Sequence, residues 1–173
     1  VALSSARAGN VIGGGDWSVD RLIPDAIRAW QAQQPLLIRR PDAIRPWQYV
    51  LEPLAGYLQL AQRQWEKPQL ADAYNFGPRT HEAATVRQVV HLAAQAYGHG
   101  QVVWDDETEG VHEAGWLSLE VAKSRVCLDV VPRWDLAETV IRTVDWYRNL
   151  ERGESALALC LRDIDAFEAS RPI

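Results

Sequence analysis

Two stretches of this 173-residue sequence hold residue types at spacings that could do chemistry. The first runs Ser4-Ser5-Ala6-Arg7-Ala8-Gly9-Asn10-Val11-Ile12-Gly13-Gly14-Gly15-Asp16-Trp17. A strand that ends in a glycine loop lets backbone approach a ligand closely, and glycine supplies the positive-φ turns of such loops. No Gly-Lys-Ser/Thr follows, so the loop is not a P-loop. Nor does it open a helix directly after its strand, as a dinucleotide Gly-x-Gly-x-x-Gly does. A tight surface turn is the competing reading. The second stretch, Ile38 to Val50, interleaves Arg39, Arg40 and Arg45 with Trp47 and Tyr49. Guanidinium forks match phosphate oxygens and aromatic faces stack on rings, which suits a phosphorylated, ring-bearing ligand. A solvated turn with a packing tryptophan gives the same composition.

Other chemistries find less support. The four histidines, His81, His91, His99 and His112, show no metal-ligand spacing with one another. His112-Glu113 is the pair with a possible ligand role, and Asp105-Asp106-Glu107 reads as a solvated acidic loop. There is no Gly-x-Ser-x-Gly elbow, and none of the five tyrosines is followed by lysine four residues later. A net charge of −5 argues against a nucleic-acid footprint, which needs clustered positive charge. The two cysteines, Cys127 and Cys160, lie far apart in helical patterns and suggest a reducing compartment. No apolar run approaches the roughly 20 residues of a bilayer span, and no signal-peptide pattern opens the chain. A cytoplasmic protein of about one domain is expected. The sequence contains no methionine and opens on Val1-Ala2-Leu3, as a processed or excised chain would.

Short strands alternating with amphipathic helices must position these residues, in an α/β or α+β arrangement. Residues 1–6 read as a strand and 7–19 as a glycine-rich loop. A helix over 22–32 turns Ile23, Ile27 and Trp30 to a core, with Pro24 in its first turn. A strand over 35–38 leads to the arginines. Helix also fits 51–64, with Leu54, Leu58 and Ala61 as its apolar stripe. Residues 73–76 alternate like a strand and stop at Gly77-Pro78. Thr85-x-x-Gln88 is a capping box for a helix to Tyr97, which Gly98 terminates. A strand over 101–104, an acidic loop over 105–115 and a short helix over 120–128 follow. Asp135-x-x-Glu138 caps a helix to Asn149, with Leu136, Val140, Val144 and Tyr147 inward. A last helix over 155–169 is expected to bury Ala156, Leu159, Cys160, Ile164 and Phe167. So few and such short strands make a poor sheet by themselves.

In order along the chain, the Ser5–Trp17 segment, Asp20-Arg21-Leu22-Ile23-Pro24-Asp25, Ala43-Ile44-Arg45-Pro46-Trp47-Gln48 and Tyr74-Asn75-Phe76-Gly77-Pro78 resemble the CDP-glucose 4,6-dehydratases. These are members of the extended short-chain dehydrogenase/reductase group. The resemblance continues through His112-Glu113-Ala114, Pro132 to Leu136 and Ala158 to Leu161. It implies an α/β fold, the carboxyl-terminal part of an NAD(P)-binding Rossmann-like fold, with its small α+β substrate-binding domain. Residues 1–173 would be the substrate-binding portion, with strands near 1–6 and 73–76 belonging to the Rossmann sheet. The glycine fingerprint, the Tyr-x-x-x-Lys pair and the dehydration residues would lie in an amino-terminal half outside this chain. No catalytic residue is therefore expected here.

The family reaction oxidises C4 of the sugar with NAD⁺, eliminates water across C5–C6 and returns the hydride to C6, giving CDP-4-keto-6-deoxyglucose. The resemblance implies that NAD is bound mainly by the other half, with Arg7, Ala8 and Gly9 beside the nicotinamide. It places Asn10 on the sugar nucleotide, the Asp20-Arg21-Leu22 segment along the diphosphate, Arg39 at the nucleobase and Arg45 on the diphosphate. Asn75 would lie on the substrate side, and His112 on a loop that closes over the nucleotide. The expected partner is CDP-glucose or another nucleotide sugar, the full enzyme a homodimer, and the chain alone inactive with exposed apolar surface. Two alternatives remain open: a non-catalytic sugar-nucleotide-binding or scaffold protein, and a related nucleotide-sugar epimerase or decarboxylase.

Overall fold

A computed structural model describes residues 1–105 and 115–172. Among these, the β structure consists of four two-stranded ladders. β1 (Ser5–Ala8) runs parallel to β6 (Ala73–Phe76), and β2 (Asn10–Ile12) parallel to β5 (Trp47–Tyr49). β3 (Leu36–Ile38) is parallel to β8 (Val102–Trp104), while β4 (Ile44–Arg45) is antiparallel to β7 (Ala84–Thr85). Six α-helices complete the described chain: α1 (Leu22–Gln31), α2 (Leu51–Glu66), α3 (Val86–Tyr97), α4 (Ala122–Leu128), α5 (Leu136–Glu151) and α6 (Ala156–Ala169). None is long and apolar enough to cross a membrane.

Local chemistry sets several boundaries. Thr85 and Gln88 form a reciprocal capping box at the start of α3, and Gly98 ends that helix at φ +97. The Asp135 side chain accepts from the Glu138 N–H to open α5, and Ser155 does the same for Ala158 in α6. The main core lies between α1, α3 and α5, where Ile27, Val89, Val90, Val140 and Val144 are fully buried. Trp30 closes one end of this core, its indole N–H donating to the Gln101 carbonyl at 3.0 Å.

Five expectations need correction. The strand expected at 1–6 occupies Ser5–Ala8, and residues 7–19 are not all loop, because Asn10–Ile12 form β2. A strand of three residues has no periodicity to read; β2 exists because β5 pairs with it. In α2 the buried positions are Glu52, Pro53, Gly56 and Leu60, whereas Leu54, Leu58 and Ala61 are exposed. In α6 only Leu159, Asp163 and Phe167 are buried, and Ala156, Cys160 and Ile164 are exposed. Both helices are apolar on two faces, and spacing alone does not say which face meets the core. The short helix begins at Ala122 instead of residue 120, with Glu120 Oε1 receiving the Ala122 N–H at 2.6 Å.

Candidate functional site

The glycine and arginine segments meet at one cleft of about 1010 Å³. The chain reaches it by changing ladders. Gly9 still donates to the Phe76 carbonyl at 3.2 Å beside β6, and the next residue, Asn10, donates to Pro46 at 3.0 Å beside β5. Glycine is required at that step, because a Cβ on Gly9 would lie 2.6 Å from the Pro46 carbonyl oxygen. Asn10 then begins the wall of the cleft.

Beyond β2 the wall is the loop 13–20. The Ser18 N–H donates to Asp16 Oδ1 at 2.9 Å, an Asx turn, and this bond holds the Asp16 carboxyl below its ordinary range. Arg28, nearly two turns into α1, donates to the carbonyls of Trp17 and Ser18, both at 2.9 Å, and pairs with Asp25. From α5, the Tyr147 hydroxyl donates to the Asp16 carbonyl at 2.6 Å, with the Gly13 carbonyl at 3.3 Å. Burial pushes the Tyr147 hydroxyl up to about 12. The loop ends on Asp20 at φ +60, a left-handed conformation uncommon outside glycine. Arg21 follows in extended backbone as the N-cap of α1 and makes no side-chain cap. Pro24 has no N–H and the Asp25 N–H donates to the Arg21 carbonyl, so the Leu22 and Ile23 N–H groups are those at the helix start to which the dipole would draw an anion.

Of the expected substrate residues, Asn10, Arg21, Leu22, Arg39 and Arg45 line this cleft, and so does Gly9 from the expected cofactor set. Arg45 is buried at 8% exposure, its guanidinium donating to the Ile44 carbonyl at 2.8 Å. Arg39 is exposed, and Arg40 stands beside it. Arg7, Ala8 and Asn75 do not line the cleft. Arg7 pairs in register with Asn75 across the β1–β6 ladder, and Asn75 Nδ2 donates to the Glu120 carbonyl at 3.1 Å. His112 lies outside the described residues.

The sequence did not mark Asp16, Leu37 and Asp105 as site residues, yet all three line the cleft, as does Asp20, which the resemblance set beside Arg21. Asp16-x-Ser18 was a legible turn signal. Leu37, 55% exposed on β3, carried none, since it reads as one apolar residue in a short strand. The chemistry of the lining is that of binding. Several guanidiniums and a helix start face an apolar strand surface, and no His, Cys, Lys or Tyr is present among the described lining residues. The described residues also contain no group of three or more His, Cys, Asp or Glu able to hold a metal ion.

No protein-family profile matches the chain. In sequence it is 44% identical over 168 residues to CDP-glucose 4,6-dehydratase of Salmonella typhimurium, an alignment covering 96% of this chain and 47% of that enzyme. In fold it matches UDP-glucose 4-epimerase of Stenotrophomonas maltophila, solved with NAD and formylated UDP-arabinopyranose. The TM-score is 0.72 at 14% identity, over 87% of this chain and 49% of the other. UDP-glucuronic acid 4-epimerase of Bacillus cereus, solved with UDP-glucuronic acid and NAD, matches with TM-score 0.68 at 16% identity, over 87% and 46%. The chain thus has the α/β fold of part of an extended short-chain dehydrogenase/reductase, and its sequence is similar to CDP-glucose 4,6-dehydratase over about half of that enzyme's length.

Proposed function

We propose that this chain is the sugar-nucleotide-binding portion of a CDP-glucose 4,6-dehydratase and does not turn over substrate by itself. One observation carries this reading. Asn10, Arg21, Leu22, Arg39 and Arg45 share one cleft whose described lining holds no histidine, cysteine, lysine or tyrosine. The 44% identity to the Salmonella enzyme supports CDP-glucose as the ligand.

The chain's own residues would bind and orient. Arg45, held by buried backbone, and Arg21 with the start of α1 neutralise the diphosphate. Arg39 lies at the end of β3, where Leu37 offers an apolar face to the cytosine ring. Asn10 supplies a neutral hydrogen-bonding group at the sugar end. Asn75 and His112 are further substrate-side residues of this reading.

NAD, when bound, supplies the hydride acceptor and donor of the reaction. The fit of this chain to NAD is partial. Arg7, Ala8 and Gly9 sit at the carboxyl end of a parallel strand pair, the edge at which α/β sheets bind ligands. Gly9 spends its missing side chain on Pro46. These residues form a rim, and the sequence contains no Gly-x-Gly-x-x-Gly and no Tyr-x-x-x-Lys. The reading therefore assigns most of the NAD site and the proton-moving groups to an NAD-binding portion, with the complete enzyme a cytoplasmic homodimer.

Calorimetry with CDP-glucose, UDP-glucose and dTDP-glucose tests the ligand, and an assay with NAD tests the chemistry. The expected result is preference for the CDP-sugar with no keto-sugar product. Keto-sugar formation by the purified chain overturns the binding-portion reading, and preference for a UDP-sugar favours a relative of the epimerases.

A further inference from the structure

The loop 13–20 is tied down from behind by side chains that never reach the cleft. Its carbonyl oxygens at Asp16, Trp17 and Ser18 are taken, the first by the Tyr147 hydroxyl of α5, which has the Gly13 carbonyl at 3.3 Å beside it, and the last two by Arg28 of α1. Trp17 stacks edge-on against Tyr147 with ring centroids 5.1 Å apart, and Trp146 lies under Gly14 so closely that a Cβ there would sit 2.0 Å from the indole. Tyr147 is itself 1% exposed and packed in the main core. The opposite side of the same loop presents Asp16, Ser18 and Asp20 to the cleft and delivers Arg21 to the start of α1. An anchor fixed in the core thus sets the position of a wall that carries a ligand-facing arginine.

We propose that Tyr147 is a positioning residue for the phosphate side of the cleft, acting through its hydroxyl on the Asp16 carbonyl to fix the loop that sets Arg21. Arg28 is its counterpart on the other arm. The proposal deepens the sugar-nucleotide reading and rests on it for the identity of the ligand. The loop is pre-organised, so the ligand does not have to order it on binding. Removing the hydroxyl leaves the ring, its core packing and the Trp17 contact in place while freeing the Asp16 carbonyl.

The test compares the chain with its Tyr147→Phe and Arg28→Lys variants in three measurements. These are thermal unfolding, hydrogen exchange of the peptide spanning 13–20, and calorimetry with CDP and with cytidine. Tyr147→Phe is expected to speed exchange in residues 13–20 several-fold while leaving α3 protected. It should weaken CDP about 5- to 10-fold and change cytidine by less than about 2-fold, since cytidine lacks the phosphates that Arg21 meets. Arg28→Lys, which keeps the charge and loses the fork, should give the same split more weakly. Equal losses for CDP and cytidine, or unchanged exchange in 13–20, overturn the proposal and leave Tyr147 as core packing. If the unaltered chain takes neither ligand, the sugar-nucleotide reading fails, and exchange alone then decides whether the hydroxyl holds the loop. Should Tyr147→Phe unfold, Arg28→Lys carries the same comparison from a half-buried position outside the core.

Discussion

At the scale of single residues, the two arginines most easily confused in sequence do different work. Arg39 is exposed and Arg45 is buried on β4. Replacing Arg39 with Ala should therefore leave the melting temperature unchanged and cost about 1.5–3 kcal/mol of CDP-glucose affinity, the scale of a charge-assisted hydrogen bond. Arg45→Ala should lose both, because its guanidinium also braces the Ile44 backbone; calorimetry beside thermal melts separates the two cases. Gly14 supplies a third residue-level expectation. Methyl addition there meets the Trp146 ring at 2.0 Å, so Gly14→Ala should destabilise by about 1–3 kcal/mol in a denaturant titration. The sequence showed that Gly13-Gly14-Gly15 was unusual without showing why. The reason at Gly14 is a tryptophan far away in the chain, which no local pattern contains.

Among the elements, α6 shows how a helix is held by polar groups placed inside an apolar contact. Asp163 accepts from the Tyr49 hydroxyl and faces Arg142 at 3.7 Å, while Arg133 donates to the Phe167 carbonyl at 2.7 Å and covers its ring. Burial raises the Asp163 carboxyl above its ordinary value, and burial likewise raises Glu52, which receives the Arg133 and Trp134 N–H groups. A carboxyl whose folded value is raised binds its proton more tightly in the folded state. Its contribution is complete below the unfolded value near 4 and declines as pH rises through the folded one. Asp163→Asn should accordingly flatten the fall in melting temperature between about pH 4 and pH 7, seen in parallel melts. A steeper fall would reverse the assignment.

Helix caps explain why the elements were largely legible. Thr85, Gln88, Gly98, Asp135 and Ser155 act within a turn of their own positions, so their signals sit in the sequence itself. Burial of α2 and α6 was not legible for the opposite reason. Leu54 and Leu58 satisfy helical spacing as well as Gly56 and Leu60 do, and only the fold decides that the Gly56 face packs on Phe76.

Over the whole molecule, one group of the exposed apolar residues lies on α2 and beside β1. Leu54, Leu58 and Trp65 stand out from α2, Trp65 at 90% exposure, and Val1 and Leu3 flank β1. Between β1 and α2 lies a hollow of about 680 Å³ lined by Ala2, Ala6, Tyr57, Leu60 and Trp65. Parallel strands are ordinarily covered on both faces, and among the described residues β1 pairs only with β6. The chain by itself should self-associate at micromolar concentration, and Trp65→Glu with Leu58→Lys should shift it toward monomer in sedimentation velocity. A monomeric unaltered chain would contradict this.

The pairing pattern also bears on how the molecule is made. Ser5 pairs with Ala73, Asn10 with Trp47, Leu36 with Val102 and Ile44 with Thr85, so no ladder closes through a hairpin. Each must bring distant chain together before it gains a hydrogen bond, and the entropy of that closure precedes any reward. As the polypeptide leaves the ribosome, α1 can form at once, but among the described residues Ser5–Ala8 gains its β6 partner only after Ala73–Phe76 has emerged. Leu36–Ile38 is paired later still, by Val102–Trp104, and until then its backbone must be kept from pairing with anything else.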